Sequence, residues 1–302
     1  MTKTLVHTFL LTFVAARAVD AGGYDKVKAR KYITAALPDG ARADPIKPRR
    51  LLVFSKTNGF RHGSISSGAM SLKMLGEKTG AFTAVHSEDA AMFELESLDK
   101  FDAVCMLNTT REVFLPRNMK NLSDEERKKA FETDERLKAN FKAFVEGGKG
   151  LIGFHAGTDT FHQWEDYSLM MGGLFSGHPW HQEIGVRVEE PAHPLVAAFK
   201  GKPFKVADEI YQFKKGFYSR DRLRVLLSLD LKSVKKKGGR KDHDYALAWI
   251  RNVGKGRTFY TVFGHRDQIY WNPTLLKFFL DGIQYALGDI EADATPSNKL
   301  PR

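Results

Sequence analysis

The sequence predicts an α/β fold built on a mainly parallel sheet. From Arg50 onward, short apolar runs alternate with amphipathic segments whose apolar residues recur every three or four positions. This is the pattern of buried strands and the helices that cover them. Hydrophobic residues make up 42% of the chain and charged residues 27%, which is ordinary for a globular protein. We therefore expect one α/β domain over residues 50–288.

The N-terminus has the pattern of an export signal. Lys3 precedes the apolar run LVHTFLLTFVAA, which is too short to cross a bilayer, and ARA and VDA follow as candidate cleavage sites. We predict a signal peptide over residues 1–21 and export to the periplasm or the extracellular space; a frayed amphipathic start is the alternative. Residues 22–49 predict a linker and residues 289–302 a loose polar tail. No later run predicts a membrane span.

The first half of the domain predicts four strands and two helices. The first helix is GSISSGAMSLKMLGEKTG, which a serine can cap and which ends at Gly80. The second, LSDEERKKAFETDERLKANFKAFVEGG, begins with a capping box of Ser123 and Glu126. The predicted strands are RRLLVFS, FTAVHSED, FDAVCMLN and KGLIGFHA.

The second half predicts further strands and a closing helix. The helix is NPTLLKFFLDGIQYALG, with Pro273 near its start and with Leu276, Phe279 and Ile283 on one apolar face. The predicted strands are QEIGVRVEE, RVLLSLDL, YALAWIRNVG and GRTFYTVFG.

Charge and cysteine content limit the classes of function. The chain has 47 basic and 36 acidic residues, a formal charge of +11. Its densest basic run, KKKGGRK (residues 235–241), has the glycines of a solvated loop and lies in no recognisable nucleic-acid module, so we expect no nucleic-acid partner. A basic surface that meets an anionic envelope polymer stays open as an alternative. The single cysteine, Cys105, lies in an apolar run and predicts a buried residue without a catalytic role.

Polar residues gather after the predicted strands, where an open parallel sheet binds its ligands. His62, His155 and His265 each follow an apolar run and have glycines beside them. One such histidine is typical of a hydrogen-bonded turn, but three at equivalent positions favour a shared site. Other residues at these strand ends are candidate substrate contacts: Asn58, Arg61, Asp159 and Arg266.

Two sets of side chains are candidates for the chemistry. Imidazole can carry protons near neutral pH or bind a metal, and in a strand ADEIYQF the side chains of Glu209 and Tyr211 would share a face. The alternatives are a rigid turn at His178 and a solvated edge at Glu209. The predicted proton-transfer residues are His155, His62 and Glu209, and the predicted ligands of a zinc-like divalent metal are His155, His178 and His265.

Common nucleophile and cofactor motifs are absent from the sequence. There is no G-x-S-x-G, and neither a G-x-G-x-x-G after a strand nor a P-loop. We therefore expect no nucleotide cofactor. In GLIGFHAGTD, His155 stands at a turn where many α/β enzymes hold a serine or cysteine nucleophile, and imidazole does not replace these in acyl transfer.

The sequence resembles the ThuA-like family, also called trehalose-utilisation proteins. The resemblance runs from about Leu51 to Gly288 and is carried by several segments in the family's order. These segments are LLVFSKTNGFRHGSI, GLIGFHAGTDTFHQWEDYSLMMGGLFSGHP, HPLVAAF, DEIYQF and GKGRTFYTVFGH.

The resemblance implies a class I glutamine amidotransferase-like fold, which is a flavodoxin-like three-layer sandwich. Glutaminases of that fold have a cysteine where this chain has His155, so glutaminase activity is not implied. ThuA-like proteins are associated with disaccharide use, including routes through 3-keto sugars, which implies a small carbohydrate substrate. Trp164 and Tyr211 would then offer aromatic surfaces to a sugar; core aromatics are the alternative.

Two function hypotheses follow from the resemblance. The first is an exported enzyme that acts on a disaccharide or keto-sugar, with hydrolase, lyase and isomerase chemistry left open. The second is a non-catalytic sugar-binding module on the same fold. The oligomeric state is left open in both.

Overall fold

The computed structural model describes residues 25–300, and the predicted signal peptide, residues 1–21, lies outside them. Within the described residues, nine strands form one sheet. The strands are β1 (Arg50–Phe54), β2 (Thr83–Ser87), β3 (Ala103–Leu107), β4 (Gly150–Phe154), β5 (Phe175–Val188), β6 (Phe204–Phe213), β7 (Arg224–Asp230), β8 (Ala246–Val253) and β9 (Gly256–Thr261). The α-helices are α1 (Lys26–Ala36), α2 (Ile65–Thr79), α3 (Leu95–Leu98), α4 (Asp124–Glu146), α5 (Glu165–Met171) and α6 (Pro273–Leu287). None of the helices in this part of the chain combines the length and apolarity needed to cross a membrane.

Five strands form a parallel half of the sheet, in the order β2, β1, β3, β4, β9. Their register aligns Val53, Cys105, Ile152 and Phe259, all of which are buried. Strands that are covered on both faces need continuous apolar runs rather than alternation, which is why the sequence predicted these strands. The predicted α/β fold is confirmed, and parallel pairing holds for this half.

The other four strands pair antiparallel, so the sheet is mixed. The order continues from β9 through β8, β7 and β5 to β6. Only Gly254 and Lys255 join β8 to β9, and Gly254 has a φ of 58°. A two-residue connection can join only antiparallel neighbours. The prediction of a mainly parallel sheet therefore holds for one half only, because helices no longer separate the strands in the other.

The end of the sheet formed by β5 and β6 separates from β7 and packs against β8 and β9 in the middle of the sheet. β5 pairs with β7 only over residues 185–188, whereas its pairing with β6 covers residues 175–186. We call the ribbon of residues 175–183 and 207–213 the β5–β6 arm. Phe213 of the arm lies against Trp249 of β8 and Tyr260 of β9, with ring centroids 5.0 and 5.9 Å apart. The arm therefore reaches β9, one of the strands that histidines follow at the carboxyl end.

Close helix packing fixes the end of β4. Phe279 of α6 meets Phe154 edge to face, with ring centroids 4.9 Å apart. At Gly153 an added Cβ would lie 2.5 Å from the sulfur of Met171, the last residue of α5. A glycine is therefore needed for the helix to approach the strand this closely. Packing of α5 and α6 against β4 therefore fixes the start of the turn after Phe154, independently of its polar contacts.

Part of the predicted linker, residues 22–49, is helical. α1 buries Ala29, Ile33 and Ala36 along one side, and Tyr32 stacks on Trp271 with ring centroids 5.6 Å apart. This apolar stripe is narrow and lies among lysines and arginines, so the polar composition hid its helical spacing. The helix packs on the residues that follow the last strand.

The C-terminal residues 289–300 are polar, as predicted, but they are not loose. The amide of Ser297 donates to the carbonyl of Leu223 at 2.9 Å, and its hydroxyl accepts from the amide of Val225 at 2.9 Å. Arg224 pairs with Asp293 at 3.1 Å. This segment lies along the start of β7, with a backbone hydrogen bond to the residue before the strand and a side-chain hydrogen bond to the strand itself.

Candidate functional site

His155 follows β4 in a backbone conformation that side chains rarely adopt. Its φ is 47°, and the residue is fully buried. Because Val262 O can only accept, the Nδ1–H of His155 donates to it at 2.8 Å. In the neutral ring this bond leaves the lone pair on Nε2. The strand-to-turn geometry of a nucleophile elbow is therefore present, but it presents an imidazole nitrogen.

Glu209 of β6 lies between two pairs of histidines. Its Oε2 is 3.4 Å from Nε2 of His155 and 3.1 Å from Nδ1 of His265. Its Oε1 is 3.3 Å from Nδ1 of His178 and 3.8 Å from Nδ1 of His181. The carboxylate side chain is only 9% exposed, whereas His178 and His181 are 55% and 48% exposed. One buried carboxylate thus joins an inner pair of imidazoles to an outer, half-exposed pair.

His265 is positioned by a buried carboxylate on the arm. The backbone amides of Gly264, His265 and Arg266 all donate to Asp208, at 2.7, 3.3 and 3.0 Å. Burial raises the pKa of Asp208, although His155 and the backbone amides of Gly264 and Arg266 act in the opposite direction. The loop after β9 is therefore fixed by Asp208, the residue next to Glu209.

His62 completes the inner group from the loop after β1. Its ring centroid is 4.8 Å from that of His155 and 5.2 Å from that of His265. Burial, reinforced by those two imidazoles, lowers the pKa of His62 to about 2, so the ring is neutral at ordinary pH. Its Nδ1 is buried without a hydrogen-bond partner. One ligand atom from each of His62, His155, His265 and Glu209 lies within 4.8 Å of all the others.

The buried side-chain amide of Asn108 links the loops that carry these histidines. Asn108, which follows β3 with a φ of 51°, donates through Nδ2 to Ser64 Oγ and to the carbonyl of Gly264, both at 3.0 Å. Ser64 in turn donates to the same carbonyl at 2.7 Å. Three strand-end loops therefore share one hydrogen-bond network under the histidines.

The charge at the centre is a carboxylate among imidazoles. Burial alone would raise the pKa of Glu209, but the neighbouring imidazoles of His155 and His265 outweigh this and hold the pKa well below its usual range. Tyr211 lies beside it, with its ring 4.2 Å from that of His155, and burial raises the pKa of its hydroxyl. The centre is thus an ionised carboxylate in a shell of nitrogen donors and aromatic rings.

The structure brings several of the predicted site residues together. His62, His155, His265 and Glu209 form the inner group, Tyr211 lies against it, and His178 touches it through Glu209. The three histidines follow the carboxyl ends of parallel strands. The β5–β6 arm carries Glu209, Tyr211 and His178.

Other predicted contacts are used elsewhere in the fold. Arg61 pairs with Glu88 at 2.8 Å. The amide nitrogen of Asn58 donates to the carbonyls of Glu112 and Leu115 at 2.6 and 2.9 Å, which fixes its own loop.

Three more predicted contacts have neighbours outside the histidine group. Asp159 Oδ1 lies 2.6 Å from His162 Nε2. The ring of Trp164 packs on Tyr167 of α5, with centroids 5.8 Å apart, and belongs to the helix packing. Arg266 donates its backbone amide to Asp208, and its Nε is buried without a partner.

Asp208 and Phe60 had no role assigned from the sequence, and His181 was indicated only by its His-x-x-His spacing with His178, a metal-binding pattern of low specificity. Asp208 and His181 were visible in ADEIYQF and FSGHPWHQE, but their partners depend on strand pairing. β5 and β6 align His181 directly with Glu209, and no local spacing predicts that register. Phe60 is 65% exposed and meets His62 edge to face at 4.8 Å. Its position two residues before His62, in the loop after β1, was the available signal.

Comparisons with known proteins agree with this fold. The chain is 20% identical to a ThuA-like protein from Bacteroides uniformis, with a TM-score of 0.61 over 82% of this chain and 95% of that one. A ThuA-like protein from Parabacteroides merdae is 17% identical, with a TM-score of 0.53 over 84% of this chain and 96% of that one. At these identities the likeness concerns the fold. No curated protein matches the sequence.

A family model gives the stronger statement. The model for ThuA, described as trehalose utilisation, matches residues 50–286. This range contains all nine strands and every histidine of the site. The chain belongs to the ThuA family.

Proposed function

We propose that this protein is an enzyme that acts on a small carbohydrate at the group formed by His62, His155, His265 and Glu209. The observation that carries the proposal is the contact of one ionised, buried carboxylate with two pairs of imidazoles. Such an arrangement can hold a hydroxyl or carbonyl oxygen and move protons to or from it. The family's description as trehalose utilisation supports a carbohydrate as the substrate.

The two imidazole pairs suit different tasks. His155 is fully buried and has its Nδ1–H committed to Val262, so it orients its Nε2 toward the substrate. His178 and His181 are half-exposed and touch Oε1 of Glu209, so they can exchange protons with solvent. His62 is neutral and serves as an acceptor rather than as an acid. Proton transfer is thus assigned to Glu209 with the outer pair, and orientation to the inner pair.

Aromatic side chains beside the group support a sugar rather than a charged metabolite. Tyr211 packs on His155, and Phe175 packs on Tyr211 with ring centroids 4.4 Å apart. Exposed Phe60 meets the ring of His62 edge to face. Flat apolar faces next to polar donors are the usual surroundings of a bound sugar ring.

The test compares two histidines with the same unusual backbone. His155 and His243 both have positive φ, at 47° and 52°, and asparagine accepts this conformation. Purified wild-type protein, H155N and H243N would be incubated with trehalose, other disaccharides and their 3-keto forms, and products followed by NMR. We expect turnover in the wild type and in H243N and at least a hundredfold loss in H155N.

Three results would contradict the proposal. Saturable sugar binding without any product would favour the non-catalytic binding module. Equal turnover in H155N and H243N would remove the histidine group from the chemistry. Binding of anionic polymers that vanishes in salt, without sugar affinity, would favour the basic-surface alternative.

We also propose that the protein is exported and that the parallel half of its fold has three layers. The pattern of a short basic start, an apolar run and small residues supports export, and N-terminal sequencing of protein from its native cell tests it, with an intact Met1 as the contrary result. The family resemblance supports a flavodoxin-like three-layer arrangement for the parallel half, which an experimental structure would test.

A further inference from the structure

We propose that His62, His155, His265 and Glu209 together bind one divalent cation of zinc type. The inference deepens the proposed function, on which it rests only for the use made of the ion. The residues come from three strand-end loops and from the β5–β6 arm. Three imidazoles and one carboxylate are a donor set that suits zinc and its neighbours in the first transition series.

The distances between donor atoms match the spacing that an ion would impose. His155 Nε2 lies 3.3 Å from His265 Nδ1 and 3.4 Å from Glu209 Oε2. The distance between His265 Nδ1 and Glu209 Oε2 is 3.1 Å. A tetrahedral ion with bonds of about 2.0–2.1 Å holds its ligand atoms about 3.3–3.4 Å apart. These atoms form one face of such a polyhedron, whereas a charge-assisted hydrogen bond would be near 2.8 Å.

Hydrogen positions also favour a cation between these atoms. Nδ1–H of His155 is committed to the carbonyl of Val262, so in the neutral ring Nε2 directs a lone pair toward Oε2 of Glu209, 3.4 Å away. Two acceptors that face each other in a buried site need a positive charge between them. A histidine that donates its other N–H to a backbone carbonyl is the usual second-shell arrangement of a metal ligand.

His62 supplies the fourth ligand. It is 4% exposed, its Nδ1 has no hydrogen-bond partner, and its ring stands edge-on to those of His155 and His265. Buried polar atoms in native proteins almost always have a partner, and coordination would provide a role for this ring. All four donor atoms lie within 4.8 Å of one another, a limit wider than a tetrahedral edge. The three-atom face is therefore the firm part of the site, and with His62 as a looser fourth ligand the ion could accept a substrate oxygen as a fifth.

His178, a predicted metal ligand, instead contacts the other oxygen of the carboxylate. With His181 it lies against Oε1 of Glu209, while the inner pair lies against Oε2. The outer pair thus also fix the rotation of the carboxylate, besides exchanging protons with solvent. When bound, the ion could polarise a sugar carbonyl or activate a water at its open position.

The experiment measures metal directly and needs no substrate. Untagged wild-type protein, E209Q, H155N and H243N would be analysed for metal, stripped with a chelator, and titrated with Zn²⁺ and with Co²⁺, whose visible bands report the ligand geometry. We expect one ion per chain in the wild type and in H243N, with a tetrahedral Co²⁺ spectrum. Affinity should fall at least tenfold in E209Q and H155N.

Thermal unfolding keeps the test valid if a variant folds poorly. Zn²⁺ should raise the Tm of stripped wild-type protein, since it binds only the folded chain, and should not raise that of E209Q. No uptake of Zn²⁺, Co²⁺ or Mn²⁺ by the folded wild type would overturn the proposal. Equal uptake by wild type and H155N would do the same.

Failure of the metal site and failure of the carbohydrate function give different results. A bound ion without turnover of any sugar would leave the site standing and remove the proposed function. Sugar turnover that a chelator does not change, in protein free of metal, would remove the ion. A proton shared between His155 and Glu209 would then fill its place.

Discussion

His155 has a backbone conformation that costs about 1–3 kcal/mol for a residue other than glycine, and its surroundings show what holds it there. Its ring donates to Val262 at 2.8 Å, and the hydroxyl of Tyr260 donates to its carbonyl at 2.8 Å. Both partners belong to β9 or the residue that follows it. The ring nitrogen is therefore aimed by contacts with the neighbouring strand, which accounts for a strained histidine at this turn.

Asp208 gives the sharpest test at the residue scale. In D208N one oxygen remains to accept from the amides of Gly264, His265 and Arg266, and an NH₂ group faces an amide N–H. We expect the free energy of unfolding to fall by about 1–3 kcal/mol. The free energy of cation binding should fall by more, because His265 moves. Urea unfolding and Co²⁺ titration measure the two effects.

A matched control separates this role from ordinary capping. Asp230 also accepts a backbone amide, that of Lys232, but in an exposed turn. D230N should cost less than about 1 kcal/mol and leave Co²⁺ binding unchanged. If D208N and D230N behave alike, Asp208 does not position the site.

An extra residue in β5 places two histidines on one side of the arm. Gly177 pairs with Gln212 and Trp180 with Ile210, so three steps on β5 face two on β6. In a regular strand, residues three apart point to opposite faces, and a bulge removes that difference. His178 and His181 can therefore both reach Oε1 of Glu209. The His-x-x-His spacing acquires its meaning from the bulge.

The start of β9 offers a test of element packing. At Gly256 an added Cβ would lie 2.0 Å from the carbonyl oxygen of Val145 and 2.4 Å from that of Lys149. Backbone atoms cannot move aside cheaply, so G256A should lose about 1–3 kcal/mol in the free energy of unfolding. Chemical unfolding would measure it, with G40A as the control because nothing lies within 4 Å of that Cβ position. Equal stabilities would show that β9 can shift away from α4.

At the scale of the whole molecule, the site depends on the curl of the sheet. β4 and β6 are five strand positions apart, which in a flat sheet is about 24 Å. His155 and Glu209 nevertheless lie 3.4 Å apart. The β5–β6 arm closes this gap by packing over β8 and β9. The sheet order and the site distance together require the arm.

Local sequence was enough for one side of the site and not for the other. His62, His155 and His265 follow continuous apolar runs, and the carboxyl ends of parallel strands meet at one edge, so their meeting could be predicted. The partners of Glu209 depend on the register of β5 with β6 and on the path of the arm, which are long-range properties. Trp164 shows the same limit, since a tryptophan near a site in sequence packs on α5.

The molecule should also show a pH dependence that arises far from the site. Asp281 of α6 faces Arg42 at 3.4 Å, and burial raises its pKa to about 6, while Arg42 opposes the rise. A raised folded-state pKa gives stability that is complete below the unfolded value, near 4, and lost as pH rises through about 6. Two pKa units correspond to about 3 kcal/mol.

D281N should remove this dependence. We expect the variant to equal or exceed the wild type in the free energy of unfolding at pH 7 and to show a flatter profile between about pH 4 and pH 6. Urea unfolding across that range would measure it, with D39N at an exposed position as the control. A variant with an unchanged slope would mean that the ion pair with Arg42 fully compensates the burial.

The arm gives the protein a way to be folded and yet incompetent. His62, His155 and His265 lie on loops of the five-stranded parallel half. Glu209, His178 and His181 lie on the β5–β6 arm. The rest of β5 pairs with β7 only over residues 185–188. Local opening of such a unit needs less free energy than global unfolding. A chain whose arm has opened would keep the parallel half of its sheet but would lose the contact between Glu209 and the histidines. Rapid hydrogen exchange at residues 207–213 would reveal this opened state directly.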